Sequence, residues 1–203
     1  MTFSETTIQL SRGALPCRVA GTGPIVIYLH GADGPRISEP MQALCESYKV
    51  IVPTLPPSEG TPRSQLAELV AELIARVADD KVDVIGHGSG ARVAAWLAAR
   101  HSDKLDALIL VAPEDFGRPA VDDALEAELA KIGCLTLILA GNVDSRVSPD
   151  SVRLLKQKVP RAFLVYVHDA GHDIETDRPK QFLRVVSDFL HWGEGFLVRR
   201  NAA

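Results

Sequence analysis

The chain has few cysteines, no excess of positive charge and no long unbroken apolar segment. Three cysteines occur, Cys17, Cys45 and Cys134, an odd number, widely spaced and flanked by apolar residues. No C-x2-C pair is present, so neither a disulfide framework nor a thiolate metal site is expected, and the thiols read as small reduced hydrophobes. Lysine and arginine number 22 against 26 aspartates and glutamates, a net charge of −4. That balance offers no basic face able to neutralise a run of phosphates, which argues against a nucleic-acid partner. The longest apolar runs, residues 25–29 and 107–113, fall far short of the ~20 residues that span a bilayer, so no membrane partner is expected. The opening MTFSETTIQL lacks the charged start and apolar core of a signal peptide, and the expected location is the cytoplasm. Repeats, low-complexity tracts and linkers are also missing.

What is present is ordinary for a globular protein: 203 residues, 46% hydrophobic and 24% charged. At ~150 residues per domain this is one domain over 1–203, large enough to bury a core without a disulfide or metal. Short runs rich in Val and Ile alternate with stretches of helical period. Residues 6–10 and 15–19 read as a hairpin, and 25–29, 48–52, 82–85, 106–111, 134–140 and 162–167 as six further strands. Leu66, Leu69, Val70, Leu73, Ile74 and Val77 form the apolar stripe of one helix. Residues 89–100 are Ala-rich and nearly uncharged, the pattern of an interior helix, and 121–131, 149–158 and 179–192 supply three more. A hairpin followed by strand–helix units implies a mostly parallel eight-stranded sheet with helices on both faces. No pattern is evident in the tail after Gly193, though Phe196 and Leu197 could dock on the body.

In such sheets the working surface lies beyond the C-terminal ends of the strands. The segments there are His30-Gly31-Ala32-Asp33-Gly34, Pro53-Thr54-Leu55-Pro56-Pro57, Gly86-His87-Gly88-Ser89-Gly90, Gly141-Asn142-Val143-Asp144 and His168-Asp169-Ala170-Gly171-His172.

Together these segments resemble the α/β-hydrolase superfamily. Val84-Ile85-Gly86-His87-Gly88-Ser89-Gly90 is similar to its strand–elbow–helix, where G-x-S-x-G sets a nucleophile on a sharp turn. His30-Gly31 is similar to the segment whose following N–H helps to bind an oxyanion. Asp144 matches the strand-end acid and Ala170-Gly171-His172-Asp173 the histidine loop, with Asp177-Arg178-Pro179 after it. The order elbow, acid, histidine is the family's order. The resemblance implies an α/β-hydrolase fold without a cap domain, since only Glu114 to Ile132 separate the sixth and seventh strands. It also implies His172 as base, Asp144 as its orienter, and the N–H groups of Ala32 and Ser89 as oxyanion donors.

The departure from the family lies at the nucleophile. Aligning Gly86 and Gly90 with the flanking small positions puts Gly88 where serine belongs. Moving the tip to Ser89 would place the bulky His87 where strand and helix must pass closely, so the unshifted register is favoured. Glycine there is free of the strain that a positive-φ elbow imposes on other residues. It leaves about a hydroxymethyl's worth of space for a water or ligand atom, and Gly88→Ser is expected to raise esterase activity.

His30 reads as structural and His87 as packing under the loops, while His101, His168 and His191 carry no expected chemistry. No zinc site and no cofactor are expected. Three readings stand for a small-molecule substrate or ligand. One is a hydrolase of small esters or related acyl compounds, using Ser89 in a distorted elbow or water activated by His172. Another is a non-covalent His–Asp dyad enzyme of lyase, isomerase or cofactor-free oxygen type. The third is a pseudoenzyme that binds without turnover. Oligomeric state and substrate identity are not encoded in composition.

Overall fold

The computed structural model describes residues 2–57, 61–117 and 119–197, with the side chains of 119–123 and 197 left aside. Its eight strands run β1 Ser4–Leu10, β2 Gly13–Ala20, β3 Ile25–Leu29, β4 Lys49–Pro53, β5 Val82–His87, β6 Leu105–Val111, β7 Leu135–Gly141 and β8 Ala162–Val167. They form one sheet in the order β1-β2-β4-β3-β5-β6-β7-β8. The hairpin β1–β2 is antiparallel and joins the edge of β4 antiparallel, whereas β3 to β8 are parallel throughout.

The central strands are near-continuous apolar runs because both their faces are covered. Val26, Ile27, Leu29, Val84, Ile85, Leu108, Ile109, Leu137 and Ile138 are all fully buried. Around them lie α1 Glu39–Leu44, α2 Arg63–Val77, α3 Gly90–Arg100, α4 Pro119–Glu128, α5 Pro149–Lys158, α6 Ile174–Asp177 and α7 Pro179–Trp192. In α2 the stripe Leu66, Val70, Leu73 and Ile74 is buried, with Leu69 and Val77 partly covered. Residues Gly90 to Ala99 of α3 are buried in succession, and the helix packs on α2, β5 and β6.

Several helices start where local chemistry dictates. Ser148 caps α5 by accepting from the Ser151 N–H with Pro149 in the first turn, and Ser38 caps α1 likewise through Met41. Sequence periodicity missed α1 and α6, whose six and four residues are too short to show it. Between β6 and β7 there is one short helix and a 3-10 turn, with no cap domain. Phe196 does dock, edge-on to Phe189 and beside Phe163, whereas residues 198–203 lie outside the described residues. All three cysteines are buried and free, and burial pushes the Cys17 thiol up to about 11.

Candidate functional site

At the end of β5 the chain turns through Gly88 at φ 54° and enters α3. The flanking glycines are needed for close approach. A Cβ on Gly86 would lie 2.7 Å from the Gly90 carbonyl oxygen, and one on Gly90 would lie 2.4 Å from that of Leu29. The tip of the elbow is therefore Gly88. Ser89 is already helical at φ −66° and ψ −26° and stands at the N-cap of α3, its side chain off the cavity wall described below. Its N–H belongs to the first turn, where a helix leaves donors without intrahelical partners.

His172 is carried on the loop after β8. Its Nδ1 lies 3.0 Å from Asp144 Oδ2, and its Nε2 would be 3.3 Å from a Cβ on Gly88. Asp144 is held from both sides: its side chain is 1% exposed, and Oδ1 accepts the backbone N–H groups of Arg146 and Val147 at 2.7 and 3.1 Å. These bonds make it a turn aspartate as well as the partner of His172. His87 packs beneath, its ring centroid 5.3 Å from that of His172, and Nε2 lies 3.3 Å from the His172 carbonyl oxygen. His30 is tied to loop backbone, with Nδ1 2.7 Å from the Gly31 oxygen while Nε2 accepts the Leu55 N–H at 3.2 Å. Burial lowers its pKa below the ordinary histidine value.

A carboxylate reaches the space above Gly88. Glu114, three residues past the end of β6, points its carboxylate into it: Oε1 is 3.3 Å from His172 Nε2, and Oε2 is 3.6 Å from where the Gly88 Cβ would stand. The sequence points to a water or ligand atom there and to no role for Glu114. Its loop is held in an uncommon shape. Ala112 and Asp115 adopt φ 43° and 62°, a region that costs non-glycine residues energy. Fully buried Arg92 donates to the Asp115 carbonyl at 2.7 Å and lies 4.9 Å over the Phe116 ring. Two backbone bonds stitch this loop to the elbow, Gly88 N–H to Val111 oxygen at 2.9 Å and Glu114 N–H to Gly88 oxygen at 3.4 Å.

His172, Glu114, Gly88, His87, His30 and Ala32 all line a cavity of about 600 Å³. Its far wall contains a second polar cluster, also missed from sequence. Glu175, 4% exposed, accepts short hydrogen bonds from the hydroxyls of Tyr28 and Ser38. Burial and then the Glu175 carboxylate push the Tyr28 phenol well above its ordinary value. At the rim, Arg36 pairs with Asp173 and Arg146 with Glu114, each at 3.6 Å. Among the described residues no group of three His, Cys, Asp or Glu side chains could hold a metal ion. No helix of the described residues is long and apolar enough to cross a membrane.

No curated protein matches the chain. Solved structures do, at low identity. E-2-(acetamidomethylene)succinate hydrolase superposes with a TM-score of 0.80 at 16% identity, covering 94% of this chain and 100% of that one. The thioesterase domain of the curacin biosynthetic pathway gives 0.81 at 14%, covering 92% and 100%. MGS-MChE2, an alpha/beta hydrolase enzyme from the metagenome of Mar Chica lagoon sediments in Morocco, gives 0.78 at 18%, covering 92% and 98%. At these identities the likeness is one of fold. A family model described as alpha/beta hydrolase fold matches residues 24–133, more than half of the chain and inclusive of the glycine elbow. With that match and the strand order, the chain belongs to the alpha/beta hydrolase fold family.

Proposed function

We propose that the protein hydrolyses small, polar acyl compounds by direct attack of water, without an acyl-enzyme, and that His172 oriented by Asp144 moves the proton. The observation that carries this reading is the pair of contacts on one ring: Nδ1 on Asp144 at 3.0 Å and Nε2 facing the space over Gly88. A covalent route has no hydroxyl at the tip of the elbow, since Gly88 occupies it and Ser89, already helical, is not among the residues that line the cavity. The N–H groups of Ala32, which lines the cavity, and of Ser89, at the start of α3, are the donors proposed for the oxyanion. Polar groups at Arg36, Ser38, Asp173 and Glu175 make the cavity a poor host for a long acyl chain.

The test is a panel of short esters, thioesters and amides. Wild-type turnover is expected, falling by ~10²–10⁴-fold in His172→Ala, with no labelling of either protein by a fluorophosphonate. Labelling at Ser89 would refute the water route. Glu114 at Nε2 favours a second reading, a pocket that binds a ligand without turnover. Complete inertness of a folded wild-type protein across the panel would select it.

A further inference from the structure

We infer that Glu114 is a catalytic residue, the general base that prepares water for attack, and that His172 is the acid that protonates the leaving group. This rests on the hydrolytic reading above and divides the proton work within it. Asp144 only accepts: Oδ1 is taken by two backbone N–H groups and Oδ2 faces Nδ1, so Nδ1 carries a hydrogen. A neutral imidazole has one N–H, which would leave a bare lone pair on Nε2. That lone pair would face the Glu114 Oε1 lone pairs at 3.3 Å. The contact is favourable only if a proton lies between them. With that proton assigned to Nε2 the ring is a proton source, and the acceptor that remains over Gly88 is Glu114 Oε2, 3.6 Å from the Cβ position a serine would occupy.

Glu114 is also placed with care. Its loop passes through Ala112 and Asp115 in the left-handed region, and buried Arg92 clamps the carbonyl between Glu114 and Phe116. Arg146 spans the two carboxylates, its N–H on Asp144 at 2.7 Å and its guanidinium 3.6 Å from Glu114. Backbone strain held by buried contacts is characteristic of functional sites.

The cycle balances. Water gives a proton to Glu114 Oε2 as its oxygen bonds the acyl carbon, and the carbonyl π pair moves onto oxygen. The oxyanion re-forms the carbonyl and the bond to the leaving group breaks, its electron pair accepting the proton of His172 Nε2. The proton on Glu114 then crosses to Nε2 and the site is reset, with one water consumed and one acid and one alcohol or thiol released.

The test uses the full chain and two acetates, 4-nitrophenyl acetate, whose leaving group needs no proton, and ethyl acetate, whose leaving group does. Glu114→Gln keeps the size and is expected to lower kcat/KM by ~10²-fold or more on both esters. His172→Ala is expected to lower it far more on ethyl acetate than on 4-nitrophenyl acetate. Unchanged melting temperature in Glu114→Gln excludes a folding cause. Wild-type turnover with Glu114→Gln fully active overturns the inference and leaves the hydrolytic reading in place, as does an equal loss on both esters in His172→Ala. Absence of wild-type turnover overturns both. Turnover in oxygen-18 water is expected to leave the Glu114 peptide unlabelled. Label in its carboxylate would mean that Glu114 attacks the acyl group itself, and would overturn the base assignment.

Discussion

The ends of two adjacent parallel strands, β5 and β6, solve the same turning problem in opposite ways. The β5 end turns through Gly88, for which φ 54° costs little. The β6 end turns through Ala112 and Asp115, which pay for similar angles and are held by a buried arginine and backbone bonds to the elbow. In relatives with G-x-S-x-G, the elbow carries both the reactive side chain and the strain. Here strain and a reactive-type side chain sit together on the neighbouring loop, and the elbow is relaxed. A polar group can thus be supplied to one point in space from a different strand end, provided the loop that carries it is clamped.

The largest effect should come from trying to move the reactive group back. A serine at 88 would sit in a positive-φ conformation, with its Cβ 3.3 Å from His172 and its hydroxyl against Glu114. Gly88→Ser alone should therefore gain little fluorophosphonate labelling. Gly88→Ser combined with Glu114→Ala should label and should hydrolyse 4-nitrophenyl acetate ~10²-fold faster than Glu114→Ala alone. Full labelling of the single variant would break the comparison.

Loosening the clamp comes next. Arg92→Leu removes the guanidinium donor from the Asp115 carbonyl and the contact with Phe116. A loss of about 3 kcal/mol is expected, read as a fall in melting temperature of roughly 6–12 °C for a chain this size. Retained stability with Glu114 undisplaced would show that the loop holds its shape unaided.

A control sits at the opposite end of the same two strands. Burial and then the charge of Asp106 push the Asp83 carboxyl up to about 7. An acid whose folded pKa exceeds its unfolded one binds more protons folded than unfolded between the two values. Its presence therefore makes stability fall as pH rises from about 4 to about 7, and its full cost is felt above that window. Asp83→Asn should be neutral near pH 4 and stabilising at pH 8 by about 2–4 kcal/mol, measured by urea unfolding at both pH values. Turnover should not change, because Asp83 lies at the far end of β5 from Gly88.

The smallest effects form a matched pair. Asp115→Gly relieves φ 62° and should stabilise by about 0.5 kcal/mol after the added chain entropy of glycine. Gly88→Ala introduces the strain at φ 54° and should destabilise by about 1–2 kcal/mol. The two substitutions should change stability with opposite signs, measured by urea unfolding of each.

Much of this was legible in the residues. Apolar runs gave all eight strands to within a few positions, because central strands covered on both faces must be apolar along their whole length. Asp144 and His172 were readable through the family resemblance, each in the loop after a strand and in the family's chain order, and the structure brings them to 3.0 Å. The glycines at 86 and 90 placed the elbow tip, since nothing larger fits beside the Gly90 and Leu29 carbonyls. Glu114 was not read as a site residue because its position depends on two non-glycine residues at positive φ, which no pattern announces. Glu175 was hidden for a different reason: it looks like a solvated first-turn carboxylate, and its partners are 147 and 137 residues away.

That separation has a consequence for the order of assembly. The hydroxyls that hold Glu175 emerge early in synthesis, at Tyr28 and Ser38, whereas the carboxylate and His172 arrive only in the last sixth of the chain. The sheet from β2 to β7 can pair before then, but the cavity lacks Glu175 and His172 until the segment after β8 has been added at the edge. Contacts of such sequence separation are the slowest to form. A nascent chain therefore gains its scaffold well before its reactive pocket, and the pocket closes as one of the last events of folding.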